Sequence, residues 1–210
     1  MRNWDYYFIT DSDLTKKSVL EDVKSALSAG CKVVQYREKN LPTREMVGEC
    51  RKIKKLCAGK ADFIINDRLD VCIAVDADGI HLGQDDLEFA IAKKYLPDKI
   101  IGVTVHNLRE AVKAEEQGAD YLGFSPVFET STKKNAGIPS GPKELKRVLE
   151  SVSILVVAIG GINMDNLLKV LETGCKSICM MSAVLTTDNV EKESKKIIGV
   201  INDATGKSKK

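Results

Sequence analysis

The sequence predicts a single closed α/β barrel of eight parallel strands, a (β/α)8 or TIM barrel, and three observations carry that expectation. Short β-rich apolar runs recur eight times, each followed by a helical pattern. Several helical patterns stop on a glycine followed by a small residue that opens the next run: Gly30-Cys31, Gly118-Ala119 and Gly174-Cys175. The chain has 210 residues, enough for one substantial core. An open doubly wound sheet would usually spend fewer strands and carry a glycine-rich fingerprint after the first.

The expected strands are residues 6–10, 32–37, 62–66, 79–82, 99–104, 121–125, 154–160 and 177–181. Runs such as Ile64-Ile65 and Leu155-Val156-Val157-Ala158-Ile159 are apolar without strict alternation, as strands covered on both faces are. Helices with apolar spacing near 3.6 are expected over 19–29, 44–57, 108–117 and 164–173. Right-handed crossovers then wind the units in one direction. The barrel domain is expected to span 1–203, leaving 204–210 as a short basic tail that frays.

Composition narrows the function classes. Hydrophobic residues make up 43% and charged residues 30%, which describes a globular chain and not a disordered or fibrous one. A formal net charge of +2 gives no general footprint for nucleic acid, and no nucleic-acid motif is present. No apolar run approaches the length needed to cross a bilayer, and the N-terminus lacks a signal-peptide pattern, so a cytoplasmic location is expected. The six cysteines are scattered without a CxxC pair and read as small buried thiols. Nothing in the sequence specifies an oligomeric state.

In a barrel of this kind the chemistry gathers at the C-terminal strand ends. Gln35-Tyr36-Arg37-Glu38-Lys39 follows strand 2, and alternation sends Gln35, Arg37 and Lys39 to one side, where a guanidinium and an ammonium can meet phosphate oxygens. Strand 3 ends in Asn66-Asp67-Arg68 and strand 4 in His81-Leu82-Gly83-Gln84-Asp85-Asp86. Adjacent ends bring Asp67 and either Asp85 or Asp86 within reach of one Mg²⁺, an ion that keeps waters and takes few protein carboxylates. Each aspartate taken alone could equally cap the helix that follows it. Thr104 offers a hydroxyl at the end of strand 5. His106 reads as a cap or surface group, and His81 as a hydrogen-bonded structural histidine. No serine or cysteine pairs with either histidine as a nucleophile and base.

The connection after strand 6, residues 126–141, is the longest, and its Thr130-Ser131-Thr132-Lys133 run supplies donors for a diphosphate. Strand 7 ends in Gly160-Gly161 and strand 8 in Met181-Ser182, so backbone amides stand where barrels of this class recurrently bind phosphate. Two anion sites follow, one for a monophosphate held by amides and one for a diphosphate held by cations and Mg²⁺. Together they point to two phosphorylated small molecules joined with loss of diphosphate.

Taken in order, Gln35-Tyr36-Arg37-Glu38-Lys39, Ile65-Asn66-Asp67-Arg68, residues 79–86 (Gly-Ile-His-Leu-Gly-Gln-Asp-Asp), Thr130-Ser131-Thr132-Lys133 and Ile159-Gly160-Gly161-Ile162 resemble the thiamine-phosphate synthase family. The resemblance runs from about Tyr7 to Val184. It implies that Gln35, Arg37, Lys39, Asn66 and Lys133 hold a pyrimidine diphosphate, with Arg37, Lys39 and Lys133 carrying catalysis. It further implies that Asp67 and Asp86 bind Mg²⁺, that Thr104 faces the pyrimidine, and that Thr130 and Thr132 contact a thiazole phosphate. Gly161, Met181 and Ser182 would take that phosphate. The family chemistry is dissociative: diphosphate leaves, a pyrimidine-stabilised methylene cation forms, and the thiazole nitrogen attacks it.

Three departures stand out: Thr104 where serine is usual, Met181 where isoleucine is usual, and Phe124-Ser125-Pro126-Val127-Phe128-Glu129 in place of a more glycine- and proline-rich stretch. The last resembles a sister family of thiazole tautomerases, which usually carries a histidine where this chain has Pro126. An isomerase of the thiazole phosphate and a non-catalytic thiamine-precursor binding protein are therefore the competing expectations. The complete diphosphate and metal set favours the synthase.

Overall fold

A computed structural model describes residues 2, 4–130, 132 and 137–207. Eight parallel strands follow one another in register order: β1 (Tyr7–Ile9), β2 (Val33–Tyr36), β3 (Asp62–Asn66), β4 (Gly79–Leu82), β5 (Ile100–Val105), β6 (Tyr121–Phe124), β7 (Leu155–Ala158) and β8 (Ser177–Ile178). The seam between β8 and β1 closes by a parallel bridge from Tyr6 to Ile178 and by Ile178 N–H donating to Asp5 at 3.0 Å. The (β/α)8 barrel is thus as expected. Strand 8 is two residues long, not five, because its outer partner offers one bridge instead of a ladder.

Helices α1 (Val19–Ser28), α2 (Thr43–Cys57), α3 (Leu69–Val75), α4 (Phe89–Tyr95), α5 (Leu108–Glu116), α6 (Gly141–Ser151), α7 (Leu167–Leu171), α8 (Ser182–Leu185) and α9 (Val190–Thr205) surround the sheet. Their starts are chemically legible. Ser18, Asn107 and Asn189 each accept a backbone N–H three residues on, from Glu21, Glu110 and Lys192. Their ends are too: Gly30, Gly118 and Gly174 all take positive φ, where a side chain would be strained. Helix α9 continues past residue 203 to Thr205 and closes on Gly206 at φ 72°. The helix expected over 164–173 is shorter, because Asn163 accepts Asp165 N–H and Asn166 accepts Asn163 N–H. These side-chain bonds compete with the first helical turn and hold it as a turn.

Two cores sit on either side of the sheet. Outward residues such as Phe8, Val34, Ile65, Leu82, Leu122 and Phe124 pack under the helices, while Tyr7, Ile9, Val33, Ile64, Ile100, Tyr121 and Val157 fill the barrel with Trp4 beneath them. Glycine makes that filling possible. A Cβ on Gly102 would stand 2.1 Å from the Tyr121 ring, and one on Gly123 would stand 2.9 Å from His81 Cε1. Small positions on β5 and β6 therefore admit the two large polar side chains on which the site rests.

Candidate active site

A cavity of about 300 Å³ opens at the C-terminal end of the barrel. Its walls include Gln35, Arg37, Lys39, Asn66, Asp67, Asp86, Thr104, Thr130, Thr132, Gly161, Met181 and Ser182, so the fold brings together every described residue expected at the site. Lys133 lies outside the described residues. Strand parity does the sorting: Gln35 faces inward on β2 and Arg37 and Lys39 continue the same alternation beyond its end.

The wall from β2 to β4 is built of charge. Arg37 pairs with Asp11, a buried carboxylate just past β1, and Lys39 Nζ lies 2.5 Å from Asp67 Oδ2. The guanidinium is thereby held with part of its donor fork toward the cavity. Asp11 escapes a sequence reading because an Asp two residues before another Asp looks like turn chemistry. It does that too, accepting Asp13 N–H at 3.0 Å.

The two metal candidates are not helix caps. The N-cap of α3 is Arg68 and that of α4 is Glu88, neither with a side-chain capping bond. Asp67 sits at φ 60°, a left-handed conformation unusual for a side chain, with its N–H donating to His81 O at 2.9 Å. Asp86 folds back to accept Gly83 N–H at 2.8 Å. Burial, a hydrogen bond with Asp67 and repulsion from the Asp67 carboxylate together push the Asp86 carboxyl above its ordinary range. Two facing carboxylates with Lys39 beside them make a site that a divalent cation would relieve. Among the described residues no three His, Cys, Asp or Glu converge, so the donor set is two carboxylates with room for water and phosphate oxygens. That is the chemistry Mg²⁺ prefers. Asp85, the alternative ligand, also lines the cavity, but the carboxyl that Asp67 perturbs is that of Asp86.

The opposite wall is neutral. Gly160 and Gly161 take φ of 96° and 65°, and a Cβ on either would collide with the strand 6 loop, at 2.6 Å from Pro126 Cα and 2.3 Å from Glu129 O. The loop is laid against them by Val127 N–H on Ile159 O and Phe128 N–H on Gly160 O, both 3.0 Å. Asn166 Nδ2 donates to Gly161 O at 2.9 Å, which pins the peptide. Gly161 N–H has no internal acceptor among the described residues, nor has Ser182 N–H at the start of α8. Amides fixed and uncommitted in this way suit a phosphate. Thr130 and Thr132 stand at the rim of this side, with Thr132 N–H on Thr130 Oγ1 at 3.3 Å.

Between the walls lies a polar floor that the sequence shows only in part. Gln35 Nε2 meets the Tyr7 hydroxyl at 2.9 Å, Tyr7 meets Tyr121 at 2.7 Å, and Tyr121 meets His81 Nδ1 at 2.9 Å. His81 Nε2 meets Thr104 Oγ1 at 2.9 Å. His81 is accordingly a buried hydrogen-bonded histidine, as its place on a strand suggested. Tyr7 and Tyr121 look in sequence like ordinary core aromatics. His106 lies on the rim with Nδ1 2.8 Å from Glu110 Oε2, and the N-cap of α5 is its neighbour Asn107.

Comparison with known proteins agrees with this geometry. A family model described as thiamine monophosphate synthase matches residues 6–184. The chain is 50% identical to the thiamine-phosphate synthase of Methanosarcina mazei, over all of this chain and 88% of that protein. It is 48% identical to that of Methanosarcina barkeri, covering 96% and 92% of the two chains. A solved thiamine phosphate pyrophosphorylase from Pyrococcus furiosus superimposes with a TM-score of 0.89 at 42% identity, covering 96% of each chain. With the family matched over residues 6–184, nearly the whole barrel, the chain belongs to the thiamine monophosphate synthase family.

Proposed function

We propose that this chain condenses 4-amino-2-methyl-5-hydroxymethylpyrimidine diphosphate with 4-methyl-5-hydroxyethylthiazole phosphate, giving thiamine phosphate and diphosphate. The observation that carries this reading is the convergence on one cavity of the Asp67–Asp86 carboxylate pair, Arg37 and Lys39 on one wall and the Gly161 and Ser182 amides on the other. A site built for isomerising one phosphate has no use for the charged wall.

Asp67 and Asp86 would hold Mg²⁺, which supplies positive charge against the leaving diphosphate. Arg37 offers a planar fork to two phosphate oxygens and Lys39 a point charge, so both neutralise charge that grows as the carbon–oxygen bond breaks. Asn66 and, by the family resemblance, Lys133 complete the diphosphate contacts. Gln35 and Thr104 orient the pyrimidine over the floor. Thr130 and Thr132 position the thiazole, whose phosphate rests on Gly161, Met181 and Ser182. The departing diphosphate leaves a methylene cation stabilised by the aminopyrimidine, and the thiazole nitrogen, held in place, attacks it. No side chain need act as nucleophile or base, so positioning and charge neutralisation are the protein's contribution.

No helix among the described residues is long and apolar enough to cross a membrane. A cytoplasmic setting is part of the same proposal, supported by six cysteines that are all buried and free. The test is diphosphate release by the purified chain given both substrates, with and without Mg²⁺. Metal-dependent release matched one to one by thiamine phosphate is expected. Isomerisation of the thiazole phosphate without diphosphate release would overturn the reading.

A further inference from the structure

Among the described residues four hydrogen bonds join the five side chains of the polar floor in series, and their protons cannot be assigned one at a time. Gln35, Tyr7, Tyr121, His81 and Thr104 come from β2, β1, β6, β4 and β5, and all are buried. Burial pushes both phenols well above their ordinary range, so each carries one hydrogen throughout the working pH range. Where each buried phenol O–H donates to one of its two neighbours, the other neighbour must donate to it, and a neutral imidazole donates from one nitrogen and accepts at the other. The chain therefore runs in one of two directions as a whole.

In one direction Gln35 Nε2 donates to Tyr7, Tyr7 to Tyr121 and Tyr121 to His81 Nδ1. The imidazole then carries its hydrogen on Nε2 and donates to Thr104 Oγ1. This leaves the Gln35 carbonyl oxygen as an acceptor and the Thr104 O–H as a donor for the cavity. In the other direction every bond reverses, and the cavity meets an amide donor at Gln35 and lone pairs at Thr104. The structure has the Gln35 amide nitrogen on Tyr7, which selects the first direction. Room for the relay is specific: a Cβ on Gly102 would invade the Tyr121 ring and one on Gly123 would press on His81. Trp4 packs edge-on against both tyrosine rings from below, at 5.7 and 5.0 Å between centroids.

We infer that the Tyr7–Tyr121–His81 relay is a specificity device that locks Gln35 and Thr104 into opposite hydrogen-bonding roles, acceptor and donor, and so selects an aminopyrimidine. The inference rests on the synthase reading for the identity of the ligand. An aminopyrimidine edge presents an amino N–H donor beside a ring-nitrogen acceptor, the complement of that pair. The deaminated ring presents a carbonyl acceptor beside a ring N–H donor, which fits only the reversed chain. Accepting it requires turning over all five groups or leaving buried polar atoms mispaired, and mispairing of this kind is the stronger source of discrimination between near-isosteres. Tyr7, Tyr121 and His81 act through Gln35 and Thr104 and are positioning residues.

Two measurements on the full chain test this. The chain has only two histidines, so ¹⁵N labelling of histidine, with His81→Gln to assign the signals, reads the His81 tautomer directly. Hydrogen on Nε2 is expected, both free and with the aminopyrimidine diphosphate bound; hydrogen on Nδ1, or on both nitrogens, overturns the inference. The second is the ratio of kcat/KM for the aminopyrimidine diphosphate to that for its oxo counterpart. In Tyr121→Phe, and independently in Tyr7→Phe, that ratio is expected to fall at least about tenfold while the KM for the thiazole phosphate stays within about twofold, since mispaired buried groups and not lost area set the discrimination. An unchanged ratio in a folded variant overturns the relay while leaving the synthase reading intact. Failure of the unaltered chain to release diphosphate from either pyrimidine overturns the synthase reading instead, and the tautomer then decides the relay alone.

Discussion

The two walls of the cavity present hydrogen-bond donors of different physics, the basis of the two anion sites proposed above. From β2 to β4 the donors are side-chain charges, and each is already neutralised inside the protein, Arg37 by Asp11 and Lys39 by Asp67. From β7 to β8 the donors are the backbone amides of Gly161 and Ser182, which find no acceptor among the described residues. A ligand on the charged wall must therefore share or exchange partners, whereas a ligand on the neutral wall fills places already prepared. The difference teaches where each substrate's binding energy is spent. Exchange suits a group whose charge changes during the reaction, since an interaction that strengthens as charge develops raises turnover, while a prepared neutral cradle suits a phosphate that is only held.

The largest break in that contrast is expected from Asp67→Asn. It removes one of two facing carboxylates and releases Lys39 from its partner, so turnover should fall by about 10²-fold or more, the scale of a lost electrostatic contact at the reacting group. The Mg²⁺ concentration for half-maximal rate should rise, and circular dichroism should show an unchanged fold. Full turnover in the folded variant would remove Asp67 from the mechanism. Gly161→Ala attacks the other wall. Its Cβ would stand 2.3 Å from Glu129 O at φ 65°, so the strand 6 loop must shift. The cost should be about 1–3 kcal/mol of stability, the usual range for a side chain in a sparsely populated backbone region. KM for the thiazole phosphate should rise more than KM for the pyrimidine diphosphate; the reverse order would mean that the glycine amides do not serve the thiazole side.

Salt sharpens the comparison without mutation. Charged side chains at the mouth are screened at high ionic strength, and fixed amides much less so. Between low and high salt, about 0.05 and 0.5 M, the screening distance falls by roughly threefold. KM for the pyrimidine diphosphate should rise several-fold over that span, by the same screening argument, while KM for the thiazole phosphate moves less. Equal dependence for both substrates would show that the two walls do not divide the labour as their chemistry indicates.

How much of this was legible before the fold follows the same division. Strand positions and the C-terminal location of the site are readable because run length and glycine stops are local signals, and Arg37, Lys39, Asp67 and Asp86 stand out because charge at a strand end is conspicuous. Parity is not readable where both faces are apolar. Tyr7 and Phe8 are adjacent and equally buried, yet one joins the floor of the site and the other packs under helices. Asp11 is hidden by its turn chemistry, and the importance of Gly102 and Gly123 depends on neighbours more than 15 residues away, Tyr121 and His81. That Asp67 and Asp86 are not helix caps also needed coordinates, since the N-caps of the helices that follow them are Arg68 and Glu88.

His106 offers the smallest and most discriminating prediction, because it stands at the rim on the β5 side between the two walls. Its Nδ1 is 2.8 Å from Glu110, and the same carboxylate oxygen accepts the His106 backbone N–H. Glu110 also meets the Asn107 amide, closing a reciprocal cap at the start of α5. These contacts place His106 in the service of a helix terminus. His106→Gln keeps a side-chain donor for Glu110 and leaves the backbone bond intact, so a stability loss below about 1 kcal/mol is expected, the lower part of the range for capping groups. The proposed pyrimidine contacts are Gln35 and Thr104 and the proposed phosphate contacts are at other strand ends, so kcat and both KM values should stay within about twofold, the noise of a residue making no transition-state contact. A fall in kcat of tenfold with both KM values unchanged would instead mean that the imidazole acts on the reacting atoms. That outcome would replace a mechanism of positioning and charge neutralisation with one that moves a proton.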